Sequence, residues 1–272
     1  MTDVHITMAT GRTVTFNLPP AGDGPPTFAL SVRKCGSSIF NNMAQALAEH
    51  NGYGFIDVGG ALFEQNVRAL DWQQDPALAD LIRPGYLFGG FRDMPTAWLK
   101  DERFMRHPKM LMVRDPRDAL VSDYFSTQFS HRIPEASDGY DDMVVLASTK
   151  RSIASSTRID DWVLQEAAGF NQTMMSYAPL MDDPLTKVVT YEEYIFDKEA
   201  LLRLIAEHFS WRIDDGVIAD ILGWADVRPD AEDPHKFIRK VTPGDHREKL
   251  NRITRSRLRI RVGPSMELYG YR

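Results

Sequence analysis

The chain has 272 residues, of which 43% are hydrophobic, and this is enough to bury one large core. We therefore predict a single domain over residues 1–272, in which residues 1–26 form an N-terminal hairpin and a connector. The formal net charge of -6 argues against binding nucleic acid or an anionic membrane by bulk electrostatics. An anionic ligand must instead be held by a local cluster of cations.

The composition also bears on the compartment and on metals. The one cysteine, Cys35, excludes an internal disulfide and a Cys-rich zinc site, which fits a reducing compartment. The seven histidines show no metal-ligand spacing such as HExxH. No stretch has the pattern of a signal peptide or the length of a membrane-spanning helix. We expect a cytoplasmic protein with no integral membrane segment and no bound metal.

The first part of the chain predicts a hairpin followed by a strand, a loop and a helix. Residues 1–20 alternate apolar and polar types around the turn signal Thr10-Gly11, and residues 19–26 are typical of a connector. Residues 27–32 form a short apolar run that leads into RKCGSS, and residues 39–47 then show helical spacing.

The rest of the chain repeats this alternation of strands and helices. Apolar runs predict buried strands, and 3.6-residue spacing predicts helices, one of them with Asp115 as N-cap and Pro116 in its first turn. The predicted strands are residues 85–91, 109–113 and 187–190, and the predicted helices are residues 115–129, 160–181 and 198–209. The fold class is therefore α/β, a three-layer α/β/α arrangement with a central, mainly parallel sheet. Residues 132–158 lack clear periodicity and are the candidate for a mobile flap.

The first segment that carries chemistry is SVRKCGSS, residues 31–38, where a strand gives way to a helix. Backbone amides at a helix N-terminus favour an anion, and Lys34 adds a full positive charge. Gly36 permits close backbone approach, while Ser37 and Ser38 offer hydroxyl donors. The triphosphate-binding pattern GxxxxGK[ST] is absent. The alternative is an ordinary turn with a surface lysine.

The second segment is KMLMVRDPRDALVSDYF, residues 109–125. Arg114 lies at the end of a strand, where α/β folds place their ligands, and Ser122 lies two turns along the next helix. In the alternative interpretation, Arg114 only bridges to Asp115 or Asp118.

The third segment is KFIRKVTPGDH, residues 236–246, in which Arg239 and Lys240 are adjacent. Such a pair in an irregular loop can clamp a phosphate, the arginine as a planar fork and the lysine as a point charge. Alone, such a pair is more often a solvated part of the surface.

Together, in this order and spacing, the three segments resemble the nucleotide-dependent sulfotransferase family over most of the chain. RKCGSS looks like the 5′-phosphosulfate loop PKSGTT, VRDPRDALVSDYF is similar to the 3′-phosphate motif RNPKDxxVSYY, and FIRKVTPGDH resembles FxRKGxxGDW. The resemblance implies a P-loop NTPase-like fold and an enzyme that transfers a sulfuryl group from 3′-phosphoadenosine 5′-phosphosulfate (PAPS) to a hydroxyl or amine acceptor. The product would be adenosine 3′,5′-bisphosphate (PAP), and no metal would be needed.

The resemblance also implies roles for individual residues. Lys34 would contact the bridging oxygen as a catalytic group, and the other residues would contact the 5′-phosphate, the 3′-phosphate or the adenine. The implied donor-binding residues are Arg33, Lys34, Cys35, Gly36, Ser37, Ser38, Ile39, Arg114, Ser122, Tyr191, Trp224, Arg239, Lys240 and Val241.

Four positions depart from the family pattern. Ile39 stands where the family often has a tryptophan against adenine, and Cys35 replaces the usual serine. Val241 replaces a glycine whose backbone touches the 3′-phosphate. His246 replaces the tryptophan of the GDW element, for which we expect only local packing consequences.

The catalytic base is a further departure. The family's small-molecule branch has a histidine in a THLP-like segment, and here the matching segment is FRDMP, which places Asp93 at that position. Carbohydrate sulfotransferases of the family use a carboxylate as base, so the resemblance implies this role for Asp93. The alternative is that Asp93 caps a helix that starts near Pro95.

The acceptor is not determined by these motifs. A set of large apolar residues either lines an acceptor cavity or forms core, namely Phe91, Met94, Trp98, Phe125 and Phe129. We expect a small-molecule, glycan or lipid acceptor and no nucleic-acid partner, and homodimer formation is left open. Two alternatives to a sulfotransferase are a small-metabolite kinase on a P-loop-like scaffold and a non-catalytic adenine-nucleotide-binding protein.

Overall fold

A five-stranded parallel sheet forms the centre of one of two compact units, which comprises Met1–Val113 and Pro179–Asp226. The second unit comprises Arg114–Ala178 and Val227–Arg272. The computed structural model describes residues 2–130, 141–236 and 238–272.

The sheet has the strand order β4-β5-β3-β6-β7, and every neighbouring pair is parallel. The strands are β1 Thr2–Thr7, β2 Thr13–Leu18, β3 Thr27–Ser31, β4 Gly54–Asp57, β5 Tyr86–Gly89, β6 Lys109–Val113 and β7 Thr186–Thr190. The central strands β3 and β6 are buried at every position. Their continuous apolar runs are what a parallel sheet covered on both faces requires, so this part of the predicted fold class is confirmed.

Thirteen helices are found in the described residues, together with short 3₁₀ segments and a π-helical stretch at Ser126–Ser130. The helices are α1 Ser37–His50, α2 Val58–Glu64, α3 Ala69–Trp72, α4 Glu102–Met105, α5 Pro116–Phe125, α6 Asp141–Ser156, α7 Ile159–Met175, α8 Tyr191–Tyr194, α9 Lys198–Phe209, α10 Asp215–Ala225, α11 Asp245–Lys249, α12 Arg252–Arg261 and α13 Gly263–Leu268. The 3₁₀ segments are Pro76–Leu81, Thr96–Lys100 and Ala178–Leu180.

Neighbouring residues of β3 show how the two faces of the sheet are covered. Ala29 belongs to a cluster of buried side chains from α1, α9 and α10. Phe28 points to the other face, because side chains alternate along a strand, and its ring packs against those of Trp98 and Phe104. Apolar side chains therefore cover the sheet of the first unit on both faces.

The N-terminal segment has the predicted form. β1 and β2 pair antiparallel, with Ile6 opposite Val14, and Gly11 takes a left-handed φ of 80° in the turn between them. Residues 19–26 connect the hairpin to β3 without regular structure.

The second unit is helical, and α7 is its longest helix. Trp162, Val163 and Phe170 of α7 are buried. The helix ends at Met175, before the predicted end at residue 181. Within residues 132–158, which lack clear periodicity in the sequence, Asp141–Ser156 form α6, while residues 131–140 lie outside the described residues. Val145, Leu146 and Ile153 of α6 are exposed, so these apolar side chains do not form a core-facing stripe.

No helix in the described part of the chain combines the length and the apolar character that crossing a membrane would need.

Candidate functional site

The turn between β3 and α1 contains the first group of predicted residues. Lys34 and Gly36 both have left-handed backbones, with φ values of 64° and 85°. A non-glycine residue held in this region costs on the order of 1–3 kcal/mol, so surrounding contacts must hold Lys34 in place. One of these contacts is the bond from the Cys35 amide to the Val32 carbonyl at 3.2 Å. The side chain of Cys35 is fully buried and anchors the turn.

Gly36 precedes α1 and packs against an aromatic ring. A Cβ atom at this position would lie 2.8 Å from Cδ2 of Tyr191, so only glycine fits both the φ value and the space. Because the N-cap is a glycine, no side chain caps the first-turn amides of α1. The first turn also has no acidic residue. Such an uncapped helix N-terminus favours an anion through its amides and its dipole.

Asp93 lies beside this turn. The amide of Arg33 donates to the Arg92 carbonyl at 3.2 Å, which joins the turn to the segment after β5. Burial raises the pKa of Asp93 above its usual range, and the charges of Arg33 and Arg92 only partly oppose this effect. The 3₁₀ segment Thr96–Lys100 has Pro95 as N-cap and no side-chain cap, so the alternative in which Asp93 caps it is wrong. A carboxylate with a raised pKa is a stronger base near neutral pH.

A second carboxylate at this end of the sheet was missed in the sequence. Asp57 ends β4 and accepts a hydrogen bond from the Gly60 amide at 2.8 Å. A Cβ atom on Gly90 would lie 1.6 Å from Oδ1 of Asp57, so the carboxylate packs directly on the backbone that follows β5. The signal was weak because β4 is a four-residue strand.

In the second unit, acidic side chains lie near Arg114 and at the start of α5. Asp115 caps α5, as predicted, by accepting from the Arg117 amide at 2.9 Å, and it also pairs with the Arg117 guanidinium at 2.6 Å. Arg114 is 5% exposed, and its positive charge helps to lower the pKa of Asp118. Arg114 therefore interacts electrostatically with Asp118, as the alternative interpretation of this arginine expected.

Asp118 binds the first residues of α11 and the glycine that precedes it. Its carboxylate accepts from the Gly244 amide at 2.6 Å, from the His246 amide at 2.9 Å and from Nδ1 of His246 at 2.6 Å. Burial acts to raise the pKa of Asp118, but these hydrogen bonds and the charge of Arg114 lower it to about 2. The expectation that His246 has only local packing consequences was wrong, because its ring pairs with a residue 128 positions earlier.

Arg239 and Lys240 lie in a network of ion pairs. Arg239 is 8% exposed, pairs with Glu232 and Asp245, and has its guanidinium 4.2 Å from the centre of the Phe125 ring. Lys240 pairs with Asp245 at 3.2 Å and with Glu248 at 2.6 Å. Arg239 and Lys240 are therefore not simply solvated. A phosphate that binds to them would have to replace the carboxylates with which they pair.

The remaining predicted residues lie on separate elements. Tyr191 begins α8, directly after β7, and its ring contacts Gly36. Ile39 is partly buried against the core of the first unit, and Trp224 lies on α10 with 44% of its surface exposed. Ser122 on α5 and Val241 before α11 are both half-buried.

The apolar residues proposed for an acceptor cavity divide into two groups. Phe91, Met94 and Trp98 are at most 1% exposed and belong to the core of the first unit. In the second unit, Phe125 stacks on Phe129 at 6.4 Å between ring centres, and Phe129 is 36% exposed. The core interpretation therefore holds for the first three residues.

The strand order and the turn after β3 define a P-loop-like α/β fold, and solved sulfotransferases have the same fold. A mouse sulfotransferase complexed with PAP matches with 11% sequence identity and a TM-score of 0.60, over 93% of this chain and 91% of that one. Retinol dehydratase complexed with retinol and PAP matches with 13% identity and a TM-score of 0.51, over 97% and 90%. No protein-family model matches the sequence, and no curated protein matches it. The chain has the sulfotransferase fold that its motifs predicted.

Proposed function

We propose that this chain is a sulfotransferase that moves a sulfuryl group from PAPS to a hydroxyl or amine acceptor. The observation that carries the proposal is the turn of residues 33–36, which joins a lysine, an uncapped helix N-terminus and the neighbouring Asp93 at the carboxyl end of β3. Ligands of open α/β sheets bind at this edge. The PAP in the similar solved structures agrees with the same donor chemistry.

The proposed reaction is an in-line transfer. The acceptor oxygen or nitrogen attacks sulfur while the bond between sulfur and the 5′-phosphate oxygen breaks. Lys34 neutralises the charge that develops on the leaving phosphate, and Asp93 takes the proton of the acceptor. The products are the sulfated acceptor and PAP. By analogy with phosphoryl transfer, most of the catalysis comes from positioning and from electrostatic stabilisation.

Other residues are proposed to hold the donor. Ser37, Ser38 and the first amides of α1 would bind the 5′-phosphate, and Tyr191 would contact the adenine. Arg114 and Ser122 would bind the 3′-phosphate. The remaining proposed donor contacts are Arg33, Cys35, Gly36, Ile39, Trp224, Arg239, Lys240 and Val241.

The role of Arg239 and Lys240 is the most demanding part of this assignment. Both cations already pair with carboxylates, so a 3′-phosphate would gain them only by displacing Glu232, Asp245 or Glu248. Binding to these two cations should therefore weaken less with salt than binding to exposed cations would.

Donor binding tests the proposal first. PAP without magnesium should raise the thermal midpoint, because a ligand at about 100 times its Kd stabilises the folded state by about 2.7 kcal/mol. A kinase would instead respond to ATP with magnesium. No shift with PAP at millimolar concentration would contradict the proposal.

Transfer is then measured with radiolabelled PAPS and a set of phenols, sugars, amines and apolar alcohols, since retinol dehydratase is solved with retinol and with androsterone. Lys34→Ala should lower turnover by about 10²–10³-fold, the usual loss when one charge-stabilising donor is removed. The thermal shift with PAP should largely persist. The exposed Lys187→Ala is the matched control. Near-normal turnover in Lys34→Ala would contradict the catalytic assignment, and donor binding without transfer to any acceptor would favour a non-catalytic binding protein.

A further inference from the structure

Helix α12 has the sequence RITRSRLRIR and contains five arginines but no acidic residue. The chain as a whole carries a net charge of -6, so this helix is a local reversal of sign. A local cluster of cations attracts anions even where the net charge is negative.

The orientation of α12 exposes two apolar side chains. Thr254 and Leu258 are buried and attach the helix to its unit. On the opposite face, Ile253 is 65% exposed and Ile260 is 77% exposed. Residues seven apart lie on the same side of a helix, so the two isoleucines form one ridge. At 100° per residue, Arg257 lies about 50° to one side of this ridge, and Arg252 and Arg259 lie about 90–110° to its other side.

The arginines of α12 have no carboxylate partner within ion-pair distance among the residues that the structure describes. Arg261 donates to the Leu164 carbonyl and lines an open depression of about 550 Å³ together with Arg158 and Asp161. Some other cations of the unit pair with carboxylates, for example Lys150 with Glu166 at 2.9 Å. α12 therefore places a cluster of arginines at one surface of the unit.

We propose that the exposed face of α12, namely Arg252, Ile253, Arg257, Arg259 and Ile260, docks on an anionic phospholipid membrane. Charge complementarity selects an anionic partner, and the two exposed isoleucines select a lipid surface over a nucleic acid, which has no apolar layer to receive them. An interfacial helix lies in the plane of the membrane with apolar side chains inserted and arginines at the level of the phosphates. This proposal does not depend on the proposed sulfotransferase activity.

Vesicle co-sedimentation tests the charge component. The protein should bind vesicles of phosphatidylcholine with phosphatidylserine, should bind phosphatidylcholine alone much more weakly, and should be released by salt. Each arginine near an anionic surface contributes about five-fold in binding, so Arg252→Gln/Arg257→Gln/Arg259→Gln should weaken binding on the order of a hundred-fold.

The matched control makes the same change of charge in the first unit, at three exposed arginines. It is Arg68→Gln/Arg106→Gln/Arg203→Gln, and it should bind the vesicles as the unchanged protein does. Absence of binding to phosphatidylserine vesicles, or an equal loss in both triple variants, would overturn the proposal.

The apolar ridge distinguishes a membrane from a soluble polyanion. Ile253→Ser/Ile260→Ser should weaken vesicle binding several-fold without changing the thermal midpoint, because both side chains are exposed. The control Val145→Ser/Leu146→Ser removes two exposed apolar side chains from α6 and should have no effect. If the isoleucine variant binds vesicles normally and single-stranded DNA binds the protein as tightly as the vesicles do, the surface is a nucleic-acid site and the membrane proposal is wrong.

Discussion

Replacing Asp118 by asparagine should destabilise the protein and should do so in a pH-dependent way. The carboxylate accepts two amide hydrogen bonds and one from the ring of His246, all within the second unit. An asparagine of the same shape has only one acceptor oxygen and no charge. It leaves at least one of these buried donors without its acceptor.

The size of the effect follows from the pKa. The pKa of Asp118 falls from its ordinary value of 3.8 to about 2 in the folded protein. Each pKa unit corresponds to about 1.4 kcal/mol, so the ionised carboxylate contributes about 2 kcal/mol to folding. For a chain of roughly this size, that loss lowers the thermal midpoint by roughly 4–8 °C.

The pH dependence has a defined sign. Because the folded-state pKa lies below the unfolded-state pKa, the stabilisation is fully present above about pH 4 and is lost as the pH falls toward about 2. Thermal unfolding of Asp118→Asn and of the unchanged protein should therefore differ at neutral pH and converge in acid. Asp230→Asn, an exposed position in the same unit, is the control. Equal midpoints at neutral pH would refute this account of Asp118.

Three further changes test other contacts. Gly36→Ala should lower the free energy of unfolding by about 1–2 kcal/mol and reduce PAP-induced stabilisation, because alanine is strained at a φ of 85°. The control Gly169→Ala should leave the stability unchanged, because a Cβ atom there meets nothing within 4 Å. Equal thermal midpoints in the two variants would contradict this account of Gly36. Asp183→Asn removes the carboxylate that pairs with the fully buried Lys109 at 2.9 Å and should cost about 3 kcal/mol in urea unfolding. An unchanged midpoint would argue against the pair. Because burial raises the pKa of Asp93, the acid limb of the pH profile of kcat/KM should lie above pH 3.8. This limb should vanish in Asp93→Asn. An acid limb that survives the change belongs to another group.

The central strands and the long helices were predictable because their local patterns are strong. β3 and β6 are continuous apolar runs, which buried parallel strands require, and α9 has the predicted bounds because its apolar spacing is regular. β4 was missed because it is only four residues long. α6 was missed because its segment lacks clear periodicity, and three of its apolar side chains, Val145, Leu146 and Ile153, face solvent. The local pattern of apolar residues identifies a helix or a strand only where the element is buried on one side or on all sides.

The sequence by itself determined the α/β class, the glycine-containing turn before α1, the cap of α5 by Asp115 and the cations that an anionic donor would need. Each of these depends on residues close together in the chain, whose backbone preferences act whatever the rest of the fold does. Only the tertiary structure decided the environment of those groups. Asp118 binds His246 across 128 residues, and Arg239 is paired with acids. Asp93 is half-buried rather than used as a cap. Charge and burial act through space. The pKa of a carboxylate and the availability of a cation are therefore determined by neighbouring side chains that can lie far away in the sequence.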